Sequence, residues 1–595
     1  MRISSDVQND SGDGEDTGLG ARTRRTVLRG AAAALGVTTA VGVGSAHDRS
    51  DGGANSKFAV SDHDDRASGD DPEPETRGTS ENATRVGYHS LGDVGTETEG
   101  GQPEDPHRGG ITEIRVRTNE ALDRDFAYVG VFSSEDESGN RGMAIIDVTD
   151  YTRADGSGDL DDAEMEVVSF LPNNNTGTAI MDVKPNESGD FVFLGTQPIT
   201  LLYGDVSTSE PEDDPGTGAN TGGLIAVDVS DPENPEAVAS LSNEVFTTGI
   251  HNLFSHRIDG EDYVFANKDI DQDSIAGLYV YRLDRSLAEP TLEPVNYYNV
   301  NGDHGREQAA APVPVPGGDH YCHDNEVIDD PRTGTPTLYL AYWDRGIHAL
   351  DVSDPSDIEK IGQFDMKQGH FVTPAPELVP LRDEDGNVVE DENGDSVEKR
   401  VVVASHEEPS SDYDDGDEGK TNPDSTGTVF LIDADGVHET DGVTEMGELA
   451  NWTWYDDPAI EFDDFELSPH NCDVSKHVVK PGGKIDEQFW IHQGHYHAGV
   501  QFLRIRAGED DGTTGGLARD HDATDWSITE EGFSRPVEED LESESGLEGL
   551  SGVTPDVWAA VEMNGVTFLS DINQGVHAVH HDDFPVGNET VSTGN

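Results

Sequence analysis

The side chains that could do chemistry in this chain are histidines at recurring positions. Three segments start with a histidine followed by a polar residue, at His251-Asn252, His323-Asp324 and His470-Asn471. A further segment, WIHQGHYHAG over 490–499, carries two histidines two residues apart, which on a strand project the same way. Converging neutral imidazoles bind copper, zinc or iron. We therefore predict a transition-metal site (copper, zinc or iron) with candidate ligands His251, His323, His470, His495, His497 and His406.

Carboxylates near these histidines could complete the site. Asp324, Asp344 and Glu407 could each supply a hard ligand or orient a ligating imidazole through a hydrogen bond. The sequence leaves open which three or four side chains are ligands. It also leaves open a structural role, because a buried histidine at such a position can simply bond a backbone carbonyl.

The chain has only two cysteines, and each adjoins one of these segments. Cys322 precedes His323 and Cys472 follows Asn471. Two cysteines exclude a framework of disulfides, so the fold must depend on its apolar core. We expect buried free thiols, with a soft metal ligand as the alternative.

A repeated strand motif indicates which elements position the histidines. A glycine followed by an alternating apolar run occurs as GMAIIDVTD from Gly142, GLIAVDVSDPENP from Gly223 and GIHALDVSDPSD from Gly346. Alternation at period two predicts a half-buried strand, and Asp-Val-Ser-Asp supplies the turn that ends it. Weaker copies of the motif follow Gly277, Gly427, Gly499 and Gly575.

Seven such copies, each flanked by further short strands without helical periodicity, predict an all-β fold: a seven-bladed β-propeller with four-stranded antiparallel blades. Because an open ring would expose strand edges, we expect residues 84–90 to fill the outer position of the last blade and close the ring. The innermost strand of each blade then starts at one mouth of the central channel. Histidines from separate blades should meet there.

The pattern GLxVxDVSDPxxP resembles the LVIVD-repeat family of β-propellers, of the exported haloarchaeal type. The similarity covers 84–587 and is strongest in the blades that begin at Gly223 and Gly346. Where the family pattern has Asp, this chain has Arg282, Arg504 and His580 in three degenerate blades. The resemblance implies the propeller fold far more than an activity.

Composition and the first residues bear on location and partners. The formal net charge of −85 disfavours nucleic acid and anionic lipid as partners, and it is typical of a folded protein adapted to high salt. Arg24-Arg25 followed by a short apolar run resembles a twin-arginine export signal. We predict a signal peptide over 1–46, an acidic disordered linker over 47–83, the propeller over 84–587 and a disordered tail over 588–595. The predicted product is an exported monomer, extracellular or at the cell surface, without a membrane span.

Two classes of function remain open from the sequence. In the first, the metal site acts on a small extracellular substrate. In the second, the propeller is a non-enzymatic surface module that binds a protein or glycan, and its histidines are structural. The chain lacks the common catalytic motifs, so whether it is an enzyme is left open.

Overall fold

The structure is a computed structural model of the chain. It describes residues 80–91, 110–131, 141–153, 160, 163–173, 178–198, 222–242, 249–268, 276–286, 289–310, 321–383, 387–407, 427–440, 442–454, 468–479, 486–507, 526–535, 555–572, 574–586 and 591–592. The predicted signal peptide, the predicted linker up to residue 79 and most of the predicted tail lie outside these ranges. Their boundaries therefore stay predictions.

Seven antiparallel sheets form the fold, and each has four main strands. In blades one to six these strands run in sequence order from the inside of the ring outward, while the outermost strand of blade seven comes from the N-terminal side. The strands of the first three blades are, for blade one, Ile111–Asn119, Arg124–Val131, Gly142–Asp147 and Glu166–Pro172; for blade two, Thr178–Pro185, Phe191–Pro198, Gly223–Asp228 and Glu236–Ser242; for blade three, Asn252–Ile258, Glu261–Lys268, Gly277–Asp284 and Thr291–Asn299. Those of the other four are, for blade four, Asp324–Asp329, Pro336–Ala341, Ile347–Asp351 and Glu359–Phe364; for blade five, Gly369–Pro374, Val401–His406, Val429–Asp433 and Gly447–Trp452; for blade six, Cys472–Val479, Asp486–Gly494, Val500–Ala507 and Trp526–Ser534; for blade seven, Val557–Met563, Val566–Asp571, Gly575–His581 and Ala83–His89.

The repeated glycine stands at or just before the third strand of each blade, and its backbone explains the repeat. Gly346 and Gly499 have φ of +72° and +77°, a region that favours glycine. A Cβ on Gly346 would lie 2.0 Å from the carbonyl oxygen of Phe364 in the fourth strand, and a Cβ on Gly499 would lie 2.3 Å from that of Ser534. Glycine is therefore required where the third strand approaches the fourth.

The ring closes as the sequence predicts. The innermost strand of each blade contacts that of the next blade, and the innermost strand of blade seven contacts that of blade one. The outer strand of blade seven comes from the N-terminal side, where Ala83–His89 pairs antiparallel with Gly575–His581. The predicted seven-bladed propeller and its closure by residues 84–90 are confirmed.

The apolar core lies between the blades and not around the central axis. Among the described residues, six clusters of buried apolar side chains each join two neighbouring sheets. A seventh joins blades seven and one and also includes Ala179 and Met181 of blade two and Tyr496 of blade six. Both faces of each blade are thus covered by neighbours. This leaves the innermost strands to present polar side chains to the channel.

A few short elements complete the described structure. Ser80–Glu81 extends blade six at its outer edge, so strands begin within the predicted linker, and Val591–Ser592 in the predicted tail pairs with the innermost strand of blade six. The other short elements are the strands Gly302–Asp303, Val379–Pro380, Glu398–Lys399 and Thr444–Glu445 and the helices Thr149–Thr152 and Gly305–Ala310. Among the described residues, no helix is long and apolar enough to cross a bilayer.

Candidate functional site

Four histidines line up at the starts of the innermost strands of blades three to six. The distance between ring centroids is 4.6 Å from His251 to His323, 4.1 Å from His323 to His370 and 4.4 Å from His370 to His470. All four side chains are buried. We call these residues the channel histidine cluster, because successive blades bring them together at one end of the channel.

Two members of the cluster are oriented by hydrogen bonds. His470 Nδ1 lies 2.7 Å from the carbonyl oxygen of Trp558. A carbonyl oxygen can only accept, so Nδ1 carries the proton and Nε2 carries the lone pair that a metal needs. His251 Nδ1 lies 3.0 Å from Gln197 Oε1. Nδ1 of His470 thus has the structural role that the sequence leaves open, a hydrogen bond to a backbone carbonyl. The same hydrogen bond fixes the tautomer in which Nε2 could bind a metal.

A buried glutamate faces the cluster. Glu407 follows the second strand of blade five directly and is fully buried. Tyr496 donates its O–H to Glu407 Oε1 at 2.6 Å, while Glu407 Oε2 lies 3.7 Å from His370 Nε2. The tyrosine thus holds one carboxylate oxygen and directs the other toward His370.

His370, Glu407 and His470 form a group that could hold a metal ion. One ligand atom from each of the three lies within 4.8 Å of the other two. Two ligands at about 2.1 Å from a tetrahedral ion are about 3.4 Å apart. The 3.7 Å between Glu407 Oε2 and His370 Nε2 is close to that value and longer than a hydrogen bond. Two imidazoles and a carboxylate suit zinc, copper or iron.

Aromatic side chains surround this group. The Trp558 ring centroid lies 4.3 Å from that of His470, and the Trp343 centroid lies 5.6 Å from that of His323. Trp343 and Tyr496 have φ of +34° and +35°, which is uncommon for bulky residues and carries a cost in backbone strain. Both occupy turns that bring an aromatic ring beside the cluster. The shell limits the access of water to the site.

Charged side chains fill the channel next to the cluster. Glu113 forms ion pairs with Arg115 and Lys184, each at 3.2 Å, and Lys184 also pairs with Asp182. Burial opposes the ionisation of Glu113, but Lys184 and Arg115 outweigh it and lower the pKa of the carboxyl group.

The two buried carboxyl groups on the innermost strand of blade four, Asp324 and Glu326, behave differently. Burial raises the pKa of Asp324 well above its usual range, and burial raises the pKa of Glu326 to about 8 despite the nearby Arg115. At Asp324 and Glu326, burial therefore outweighs the nearby Lys184 and Arg115.

A small cavity lies between the histidines and these charges. His251, His323 and His470 form part of its wall, and Asp324, Asn471 and Met181 form another part. The centre of a water molecule can occupy about 10 Å³ of this cavity, so the cavity has room for about one water molecule.

The structure brings together only part of the predicted ligand set. His251, His323 and His470 belong to the channel histidine cluster, and His470 belongs to the metal-ligating group. His495 instead packs with its ring against Trp452 and Trp454 of blade five. The ring of His406 packs against Phe430 in the same blade.

His497 is buried as well, and its carbonyl oxygen accepts a hydrogen bond from Arg535 Nε at 2.8 Å. The side chain that reaches Glu407 from this turn is Tyr496. Tyr496 has φ of +35° and begins a turn, so the strand alternation that predicts a shared direction for His495 and His497 does not hold across this segment. Neither histidine belongs to the metal-ligating group found among the described residues.

Sequence reasoning missed His370. It occupies the same position in blade five as the other cluster members do in theirs, but an apolar residue, Phe371, follows it. The signal that could have found it is Gly369-His370 just before an alternating strand. The sequence names Glu407 either as a hard ligand or as a residue that orients an imidazole, and in the structure its Oε2 faces His370.

Both cysteines are buried thiols outside any disulfide, as expected from the sequence. Cys322 packs between blades three and four, and Cys472 packs between blades five and six. Burial and the nearby Asp473 raise the pKa of the Cys472 thiol. Neither belongs to the metal-ligating group found among the described residues.

Comparisons with known proteins add little to this description. No protein-family profile matches the chain, and no curated protein matches it by sequence. Among solved structures, the β-propeller domain of Cps50 (Swd1) from Myceliophteria thermophila is 10% identical with a TM-score of 0.36, covering 78% of this chain and 96% of that one. A hypothetical selenium-binding protein from Sulfolobus tokodaii is 12% identical with a TM-score of 0.32, covering 61% of this chain and 68% of that one. Similarities this low say nothing about activity.

Proposed function

We propose that this protein is an exported β-propeller that binds one transition-metal ion through His370, His470 and Glu407. The observation that carries the proposal is the meeting of three ligand atoms within 4.8 Å of one another on fully buried side chains. Burying a carboxylate beside two imidazoles is costly unless a cation balances its charge. A bound ion would offset that cost.

The neighbouring histidines extend the proposal. His323 stacks near His370 and can approach the same ion after a small shift of its ring. His251 lies one position further along the row and is the more distant of the two. We propose His323 as the fourth protein side chain around the ion. His251 would contact His323 without binding the ion itself.

We further propose that the metal acts on a small extracellular substrate. The aromatic shell and the water-sized cavity support chemistry on small molecules rather than on a polymer. The twin-arginine motif at Arg24-Arg25 and the net charge of −85 support export into a high-salt medium. The metal would supply Lewis acidity or redox chemistry, and the chain would supply binding, orientation and exclusion of water.

Metal analysis of the full chain tests the proposal. The wild-type protein is purified at high salt, dialysed against copper, zinc or iron and passed through gel filtration. It should retain one metal ion per chain. His470→Ala and Glu407→Gln should lose it. The matched controls are His495→Ala and His497→Ala, which also remove buried imidazoles but should retain the ion.

The outcomes separate the two classes of function. A wild-type chain that retains no ion, and whose melting temperature does not respond to chelator, would contradict the metal site and favour a binding propeller with structural histidines. Loss of metal in the two control variants together with retention in His470→Ala would place the ion at His495 and His497 instead.

A further inference from the structure

The cavity beside the metal-ligating group is suited to a small ligand that the protein does not itself supply. His470 belongs both to that group and to the cavity wall, and His323, next to His370 in the row, belongs to the wall as well. An ion held by His370, His470 and Glu407 would therefore adjoin the cavity. Its volume allows about one water-sized occupant.

Most polar groups of the opposite wall already have partners. Asn471 donates from Nδ2 to Glu113 Oε2 at 2.6 Å. Asp182 accepts from Lys184 and, at Oδ2, from the backbone N–H of Leu253 at 2.6 Å. These contacts fix the wall side chains within the protein. Asn471 Oδ1, however, is buried without a hydrogen-bond partner among the described residues.

Asp324 presents a second such oxygen on that wall, this one on a carboxyl group. Its side chain is 2% exposed, and Oδ1 accepts from the backbone N–H of Asn325 at 2.6 Å. Its other oxygen, Oδ2, is buried without a hydrogen-bond partner among the residues that the structure describes. A buried carboxyl oxygen in this state is costly unless something in the cavity pairs with it.

We propose that the cavity holds a single oxygen ligand of the metal, a water or hydroxide, and that Asp324 Oδ2 is its hydrogen-bond partner. The proposal rests on the metal site proposed above. It assigns Asp324 the role of a positioning residue, because the carboxyl group orients the ligand while the histidines hold the ion. It also assigns Met181 the role of limiting the size of the ligand, because its side chain closes the wall.

The first test counts water on the metal. Copper(II)-loaded protein in D₂O is measured by electron spin echo envelope modulation, which detects deuterons on a directly coordinated water. Wild type should show one such water, and so should Asp324→Asn, since an amide oxygen still accepts a hydrogen bond. Asp324→Leu, of similar volume, should bind copper with unchanged stoichiometry and lose the signal.

Failure of this inference and failure of the metal site give different results. A wild-type protein that binds copper but shows no coordinated water overturns the inference and leaves the metal site in place. The same holds if Asp324→Leu retains the water signal. A wild-type protein that binds no copper overturns both.

The second test uses a larger probe and does not require any change at Asp324. Azide, with three heavy atoms in a line, should bind the copper of wild type weakly, as measured by titration of the charge-transfer absorption. Met181→Ala should tighten azide binding by about tenfold or more, because it removes a steric cost of about 1–3 kcal/mol. Met143→Ala is the matched control, a fully buried methionine in blade one that is not part of this wall. Equal azide affinity in wild type, Met181→Ala and Met143→Ala would overturn the assignment of the cavity.

Discussion

Two groups of buried histidines in this protein differ in what their nitrogens contact. In the channel histidine cluster, the rings of His251, His323, His370 and His470 adjoin one another and a carboxylate. The second group consists of His477, His492 and His581, and we call these residues the blade-interface histidines, because they lie between blades six and seven. Burial alone does not separate the two groups, since both are buried.

The blade-interface histidines have partners typical of a structural network. Ser475 Oγ lies 2.9 Å from His477 Nε2 and 2.7 Å from His492 Nε2. Thr567 Oγ1 lies 2.8 Å from His492 Nδ1, so both nitrogens of His492 bond hydroxyl groups. The ring of His477 stacks on Phe584 with centroids 4.0 Å apart.

The comparison teaches that the chemistry of the partners, more than burial, separates a candidate metal site from a structural network. Hydroxyl groups satisfy an imidazole by donating and accepting. A row of imidazoles next to a carboxylate presents several lone pairs to the same space, which a cation can occupy. Changes in each group should therefore have different consequences.

The largest expected effect is on metal affinity. His370→Ala removes a proposed ligand, so the affinity for copper or zinc should fall by more than the about 100-fold that follows loss of a supporting hydrogen bond. Competition with a chromophoric chelator measures it. His492→Ala should retain the affinity of wild type, and a large loss there would contradict the distinction between the two groups.

The next effect is on the free energy of unfolding. His492→Ala leaves a cavity and removes one hydrogen bond from each of the hydroxyl groups of Ser475 and Thr567, so we expect it to destabilise the fold by about 2–4 kcal/mol. Urea denaturation at constant high salt measures this. His580→Ala, at a partly exposed position nearby, should cost less than about 1 kcal/mol. An equal loss of unfolding free energy in His492→Ala and His580→Ala would show that the hydroxyl network adds nothing to the stability of the fold.

The two regions should also respond to pH with opposite signs. Burial, reinforced by nearby His581, lowers the pKa of His477 to about 3. Below its ordinary pKa of about 6.5 the unfolded chain takes up a proton that the folded chain excludes, so stability is lost as pH falls from about 6.5, by up to about 1.4 kcal/mol per pH unit. His477→Phe should show a smaller loss between pH 6.5 and 5 in urea denaturation. An unchanged slope would contradict the prediction.

In the channel, Glu326 should make the stability of the fold depend on pH in the opposite direction to His477. Burial raises its pKa to about 8, so the folded chain holds a proton that the unfolded chain releases above about pH 4.5. This contribution to stability is lost as pH rises toward 8. Glu326→Gln, which mimics the neutral acid, should make the free energy of unfolding less dependent on pH between 5 and 8. A steeper loss in the variant would show that Glu326 is ionised in the fold.

The smallest effect concerns the support of the carboxylate. Tyr496→Phe removes the O–H that holds Glu407 Oε1, so metal affinity should fall by about 10-fold, within the range found for supporting hydrogen bonds. Chelator competition measures it, with Tyr281→Phe in blade three as a control that also removes a buried hydroxyl group. An affinity equal to that of wild type would mean that packing alone positions Glu407.

Much of the fold could be predicted from local pattern. The glycine that leads each third strand is visible in the sequence because a side chain there would clash with the fourth strand, as at Gly346 and Gly499. The closing strand could be predicted as well, since a ring with an open edge is unstable and 84–90 resembles an outer strand. The pairing of Ser80–Glu81 with blade six could not, because short edge pairing carries no periodic signal.

The site could be predicted only in part. Three of the four members of the channel histidine cluster share a histidine-polar motif, while His370 lacks it and is recognisable only by its position in blade five. His495 and His497 had the strongest local signal, yet Tyr496 between them is the side chain that reaches Glu407. A spacing of two predicts that two side chains share a direction, and it does not say which direction.

By itself, the sequence determined that strands recur at regular intervals, that glycine must lead the third of each blade, and that histidines stand where inner strands start. Only the tertiary structure decided which of those histidines meet a carboxylate, because the meeting of His370, Glu407 and His470 depends on the angle between blades five and six and on a turn that places Tyr496 inward. Local periodicity follows from the chemistry of neighbouring residues. Convergence across blades follows from how seven sheets pack round one channel.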